Sequence, residues 1–315
     1  MKYYFAPLEG ITDSIYRQLH HKYFPGLDRY YTPFFSPTVH RTLTPKESRE
    51  LPFADAIDYN AVPQLLTKVA DDFLWMAVQC ADRGYTEVNL NLGCPSGTVT
   101  AKGKGSGMLR DADALDRFLD TIFRASPLPI SIKTRIGFSS ADEFPSLLDI
   151  FNRYPVKELT VHPRIRTVFY SGDVDMESFR FALENSRNPL CYNGDICALS
   201  QVDNIAECFP SVDSVMIGRG LIGDPGMITN STTPQLLEAF TGELLEHYIE
   251  AFGGARNAMF RMKEHWRYLI CKFDQVDKLA KQLRKTTDIA EFKTITHRIL
   301  QECPIRDKPD TRQQF

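Results

Sequence analysis

The sequence predicts an α/β fold: a (β/α)8 TIM barrel over residues 1–230, followed by a small C-terminal α-helical bundle domain over 235–315. Three observations carry this prediction. Eight short strand-like runs are spaced through the first 230 residues, amphipathic stretches lie between most of them, and strand signals stop beyond the turn-forming segment Asn230-Ser231-Thr232-Thr233-Pro234. Eight βα units in that length suit a closed barrel. A doubly wound open sheet would want a glycine-rich dinucleotide turn after an early strand, and the sequence has none.

The strand-like runs fall at 3–6, 29–34, 61–65, 87–92, 130–133, 158–161, 189–193 and 214–217. Several, such as Leu159-Thr160-Val161 and Val215-Met216-Ile217, are near-continuous apolar runs, the pattern of parallel strands buried on both faces. Helical period shows at 71–83, 112–125 and 143–154. Beyond the linker, helices are expected at 235–252, 255–273, 276–285 and 289–301. Gly253-Gly254 breaks the first from the second, and Thr286-Thr287-Asp288 supplies a cap for the last. The tail over 305–315 is polar and expected to be loose.

With 315 residues, 43% of them hydrophobic and 24% charged, the chain can bury a stable core without disulfides or metal. Its seven cysteines include no CxxC pair and its seven histidines no HExxH spacing. Zinc-ribbon, iron–sulfur and metalloprotease readings lose their support, and free thiols in a reducing compartment are expected. No signal-peptide pattern opens the chain and no run of about 18 apolar residues occurs. The expectation is a cytoplasmic monomer with no metal and no membrane partner. The net charge of −3 does not advertise a nucleic-acid partner, yet between Arg256 and Arg298 eleven basic residues stand against five acidic ones. Taken alone, that excess reads first as a solvated helical surface.

A barrel of this kind carries its chemistry at the C-terminal ends of the strands. The polar residues expected there are Glu9, Gln64, Asn91, Cys94, Lys133, His162 with Arg164, Asn193-Gly194-Asp195, and Gly218-Arg219-Gly220. A thiol, an amine, an imidazole, an amide and two guanidiniums thus converge on one rim. The glycines after the last two strands suit a phosphate held on backbone N–H groups, or serve only as tight turns. Lys133 closes an apolar strand and needs a partner, either a structural carboxylate or a bound cofactor that develops negative charge. Cys94 is either a small buried apolar residue or, from its place on the loop leaving the fourth strand, a catalytic thiol. The segment Thr100-Ala101-Lys102-Gly103-Lys104-Gly105-Ser106-Gly107 lacks the GxxxxGK[ST] spacing of a P-loop and reads as a mobile basic lid facing a phosphate backbone.

Together these residues resemble the tRNA-dihydrouridine synthases of bacterial type. Ala6-Pro7-Leu8-Glu9-Gly10-Ile11-Thr12-Asp13 is similar to that family's opening strand, and Asn91-Leu92-Gly93-Cys94-Pro95 with Val99 and the glycine-rich stretch to Met108-Leu109 is similar to its signature loop. The resemblance continues through Lys133, His162-Pro163-Arg164-Ile165-Arg166 with Tyr170 and Gly172, Asn193-Gly194-Asp195 and Gly218-Arg219-Gly220, in order across the whole barrel. The chain departs from the family pattern at Pro163, Val168 and Thr98, positions that bear on substrate contacts rather than on the flavin site.

The resemblance implies an FMN enzyme that uses NADPH to reduce the C5=C6 bond of a uridine in tRNA. It implies that Pro7, Leu8 and Glu9 pack along the flavin and that Gln64 hydrogen-bonds its pyrimidine edge. Lys133 would stabilise the anionic reduced flavin, with His162 helping to hold it, while Asn193, Gly194, Asp195, Gly218 and Arg219 bind ribityl and phosphate. Asn91 would contact the uracil, Arg164 and Tyr170 belong to the substrate side, and Cys94 would deliver a proton to C5 while hydride reaches C6. Under this reading the basic excess becomes a tRNA-docking surface, with Arg256, Arg261, Lys263, Arg267 and Lys272 at spacings that put several on one helical face. The rivals are a flavin barrel acting on a free pyrimidine, of dihydroorotate dehydrogenase type, and a non-catalytic RNA-binding protein. The basic helical appendage counts against the first, and Cys94, Lys133 and His162 together count against the second.

Overall fold

The structure, a computed structural model, describes residues 1–38 and 40–309. Nine parallel strands form a nearly closed barrel, with helices around it and a helical C-terminal region. The strands are β1 (Lys2–Phe5), β2 (Arg29–Tyr31), β3 (Ala61–Val62), β4 (Gln64–Leu65), β5 (Val88–Leu92), β6 (Ile130–Arg135), β7 (Leu159–His162), β8 (Leu190–Tyr192) and β9 (Ser214–Ile217). Their order is β3-β2-β1-β9-β8-β7-β6-β5-β4. The ninth strand arises because the expected run at 61–65 is cut at Pro63. Val62 pairs with Tyr31 of β2 on one side, and Gln64 pairs with Asn89 of β5 on the other. Proline has no N–H for the ladder. A bridge between Phe35 and Leu65 draws the two ends of the sheet together.

The chain falls into two compact units. The first comprises Met1–Pro7, Asp28–Gly194 and Asn204–Met216 and holds the sheet up to Met216. At the N-terminal end of its strands, buried Glu87 pairs with Lys157 at 2.7 Å and with Arg29 at 3.5 Å, and Tyr4 donates to Glu158 Oε2 at 3.0 Å. Opposite charges pair here, which marks that end as structural.

The second unit comprises Leu8–Leu27, Asp195–Asp203 and Ile217–Phe315. Its helices include Ser14–Tyr23, Pro234–Phe252, Ala255–Leu269, Asp277–Lys285 and Ile289–Glu302. Gly253, at φ +66°, ends the longest in the left-handed conformation that glycine tolerates. A buried polar chain ties these helices together. Asp13 caps the first helix through Tyr16 N and accepts from Tyr248 Oη at 3.0 Å. Tyr248 Oη lies 3.0 Å from His265 Nε2, and the His265 ring stacks on Tyr16 with centroids 4.8 Å apart.

The tail is not loose where it is described. Ile305 bridges Phe273, and Arg306 N donates to Lys272 O at 2.8 Å while its guanidinium pairs with Asp274. The polar composition of this stretch thus conceals a backbone that finds strand-like partners. Residues 310–315 lie outside the described residues.

Candidate active site

Within the first unit, the rim of the barrel is organised by a chain of amides. Asn89 Nδ2 donates to Ser131 Oγ at 2.9 Å, Gln64 Nε2 donates to Asn89 Oδ1 at 2.8 Å, and Asn91 Nδ2 donates to Gln64 Oε1 at 2.7 Å. Asn91 Oδ1 then accepts from the backbone N–H groups of Gly93 and Cys94, at 3.1 and 2.9 Å. The last pair is an Asx-type turn, and it fixes where the Cys94 backbone leaves the strand. Gln64 is fully buried with both ends of its amide engaged, and Asn91 is nearly so.

Two arginines hold the Cys94 loop from outside. Arg135 Nε donates to Gly93 O at 3.0 Å and its Nη1 to Ile165 O at 2.9 Å. Arg166 Nε donates to Pro95 O at 3.1 Å and its Nη2 to Thr100 Oγ1 at 3.1 Å. From below, Ser106 bonds Cys94 O through both its N–H and its hydroxyl.

The glycine-rich stretch differs from the expected mobile lid. Gly105–Arg110 is a 3-10 turn whose first five residues are buried. A β-carbon on Gly105, at φ +58°, would come 3.0 Å from Cys94 Cβ, and one on Gly107 would come 2.9 Å from Thr100 O. These glycines serve close packing beneath the thiol, and Met108 and Leu109 anchor the turn in the core. Cys94 itself is half-buried.

Lys133 is the register partner of Asn91 across the β5–β6 ladder. It is half-buried, and among the described residues it has no hydrogen-bond acceptor and no carboxylate partner. Burial and the neighbouring Arg135 push its ammonium down from 10.5 to about 8, opposed by Cys191 and Cys94. On the next ladder Arg135 is the register partner of His162. Arg164 Nη1 lies 3.2 Å from His162 Nε2, the His162 ring stacks with Tyr170 at 6.0 Å, and the Arg135 guanidinium lies 5.3 Å over that tyrosine ring. Cys94, Lys133, His162, Arg164 and Tyr170 are thus brought to one neighbourhood, with Tyr170 more than half exposed.

The remaining residues are placed as follows. Pro7 is half-buried just beyond β1. Asn193 Nδ2 donates to Met216 O at 2.7 Å, and a β-carbon on Gly194 would meet Tyr192 Oη and Val174 at 2.9 Å. In the second unit, Leu8 is half-buried and opens a turn in which its N–H bonds Thr12 Oγ1, with Glu9 exposed. Arg219 pairs with Asp195 at 2.9 Å, and Gly218 precedes the short helix Arg219–Gly223. On the helix Ala255–Leu269, Arg256 and Arg267 are exposed and Arg261 is half-buried beside Gly10.

Two lysines of the expected docking face are turned to other uses. Lys263 Nζ donates to Arg284 O and Thr286 O at 2.7 and 2.8 Å, closing the end of a helix, and Lys272 is buried on Asp224 at 2.6 Å. Helical spacing shows which residues share a face but not which of them find acceptors inside. Sequence reasoning also missed Asn89, Ser106, Arg135 and Arg166 as supports of the loop. Arg135 carried a signal: it lies two residues beyond Lys133, on the same face of a strand.

The family described as "Dihydrouridine synthase (Dus)" matches residues 4–303. A probable tRNA-dihydrouridine synthase of Rickettsia bellii is 28% identical over 229 residues, covering 71% of this chain and 68% of that one. The tRNA-dihydrouridine synthase B of Pasteurella multocida is 26% identical, covering 70% and 66%. A probable tRNA-dihydrouridine synthase of Staphylococcus aureus is 26% identical over 306 residues, covering 92% and 90%. Among solved structures, histamine dehydrogenase from Rhizobium sp. 4-9 superposes with a TM-score of 0.55 at 10% identity, over 84% of this chain and 49% of that one, a likeness of fold alone. With the family's description matched across both the barrel and the helical region, the chain belongs to the dihydrouridine synthase family.

Proposed function

We propose that this protein is an FMN- and NADPH-dependent oxidoreductase that reduces a uridine of tRNA to 5,6-dihydrouridine. The observation that carries the reading is Lys133, a half-buried ammonium beside the Cys94 loop that has no acceptor among the described residues. A cation so placed is costly unless something anionic sits against it. Lys133 fits FMN, whose ring gains negative charge on reduction. Lys133, Gln64, His162, Pro7, Leu8 and Glu9 would hold the ring, and Asn193, Gly194, Asp195, Gly218 and Arg219 the ribityl chain and phosphate.

Bound FMN, once reduced by NADPH, would supply hydride chemistry toward C6 of the uracil. Cys94 holds the proton for C5, so that hydride and proton together saturate the double bond. Asn91, Arg135, Arg166 and Ser106 fix the loop from which the thiol acts. Arg164 and Tyr170 face the substrate. The uridine must leave its stack to reach the rim, as for other base-modifying enzymes. The helical region supplies shape and charge for a folded tRNA, through Arg256, Arg261 and Arg267.

The experiment is NADPH-driven turnover by the purified protein on unmodified tRNA, with free uridine beside it. A yellow protein that forms dihydrouridine in tRNA and leaves free uridine untouched is expected. Turnover of the free pyrimidine without RNA would overturn the assignment of substrate.

A further inference from the structure

We propose that Lys68, Lys102 and Lys104 form a site for the phosphates of an RNA backbone beside the Cys94 loop. This rests on the reading of RNA as the substrate. Two loops supply the charges. Lys68 follows β4, and Lys102 and Lys104 precede the turn that packs under Cys94. Lys104 Nζ donates to Ser36 Oγ at 2.8 Å, which fixes its ammonium at the mouth of the loop. Lys68 Nζ lies 3.4 Å from where a β-carbon on Gly103 would stand, so the missing side chain there leaves the ammonium room. Burial first, and then repulsion from Lys102 and Lys68, pushes the Lys104 ammonium down from its ordinary value, with Asp72 opposing.

Among the described residues no carboxylate pairs with any of these three lysines, and only Asp72 acts on the cluster, through Lys104. Lys68 and Lys102 are exposed and have no carboxylate partner among the described residues. The acid that acts on Lys104, Asp72, already accepts from Arg41 Nε at 3.2 Å. Three crowded cations short of counter-charge repel one another unless an anion joins them. Lys68 and Lys102 are open to solvent and Lys104 is half-buried, and the three side chains are point charges with no ring or amide of their own to read a base. That is the make-up of a backbone contact, which positions a strand without reading its sequence. The proximity to Cys94 is direct: the same loop brings Gly105 so close that a β-carbon there would stand 3.0 Å from Cys94 Cβ. The phosphates it takes are those flanking the nucleotide that reaches the thiol.

The test compares wild type, the double variant Lys68→Gln/Lys102→Gln, and a control with the same loss of charge on an outer helix, Arg117→Gln/Arg124→Gln. Three quantities are read: tRNA affinity against salt, KM for tRNA, and NADPH reduction of the bound flavin without RNA. The lysine variant is expected to lose about 1.4 from the log–log salt slope, from about 0.7 per single-strand phosphate contact. Its KM for tRNA should rise several-fold, with flavin reduction unchanged and the control like wild type. An unchanged slope and KM would overturn the inference. Slowed NADPH reduction with normal tRNA binding would overturn it in favour of the dinucleotide's own phosphate. A wild type that does not act on tRNA at all would remove the functional reading, and with it this site.

Discussion

Two lysines, one in each unit, show how the molecule separates structure from chemistry. Lys272 is 5% exposed and meets Asp224 at 2.6 Å and Asp307 O at 3.2 Å. Asp224 in turn accepts from Thr232. Every charge there has a partner. Lys133, on the barrel rim of the first unit, has none among the described residues and is held down near 8 by burial and by Arg135. A paired buried charge serves the fold, and an unpaired one beside a thiol waits for a ligand.

The sharpest way to break this comparison is to exchange the two losses. Lys272→Met leaves Asp224 buried without its cation and should cost about 3–5 kcal/mol of stability. The midpoint of urea unfolding reads it, and dihydrouridine formation by the folded fraction should persist. Lys133→Met should keep or raise that midpoint while lowering turnover about 10²–10³-fold, the usual loss for a group that stabilises developing charge. Equal stability effects from the two substitutions would end the distinction.

A titration sharpens the same point. Between about 8 and 10.5 the unfolded chain keeps a proton on Lys133 that the folded, flavin-free protein has released. The lysine therefore carries a folding penalty that is full below pH 8 and fades as pH rises to the ordinary lysine value. A ligand that needs the ammonium must restore that proton. FMN affinity should thus fall from pH 7 to 9.5 in wild type and stay level in Lys133→Met, as flavin fluorescence quenching would show. Parallel pH profiles would separate Lys133 from the flavin.

The smallest effects compare two glycines. Gly107→Ala in the loop under Cys94 forces a β-carbon to 2.9 Å from Thr100 O and should cost about 1–3 kcal/mol. Gly242→Ala, inside the long helix of the second unit with nothing within 4 Å, should gain about 1 kcal/mol from helix propensity. Thermal unfolding of the two variants should move in opposite directions.

The sequence was most legible where hydrophobic period and strand order decide the outcome. The run at 214–217 became β9 without change, and the helix at 112–125 stands as Ala112–Ala125. The break at Pro63 was visible as a residue but not as a consequence, because only the neighbouring strands show that both halves remain paired. Cys94 and Lys133 could be picked out by their places at strand ends. Their supports could not: Arg166 reaches Pro95 across 71 positions of sequence, and the Ser131–Asn89–Gln64–Asn91 chain joins three strands. The basic stretch from Arg256 misled in part because spacing counts charges and does not find the carbonyls that Lys263 caps or the carboxylate that buries Lys272.

The account stands on the thiol that this scaffold presents, and Cys94→Ala tests it most directly. Dihydrouridine formation in unmodified tRNA would be followed beside the visible spectrum of the same preparation. The variant is expected to be a yellow protein that is reduced by NADPH at the wild-type rate and yet loses at least about 10²-fold in turnover on tRNA, in keeping with the loss of a general acid. A Cys94→Ala protein that forms dihydrouridine at the wild-type rate would contradict it.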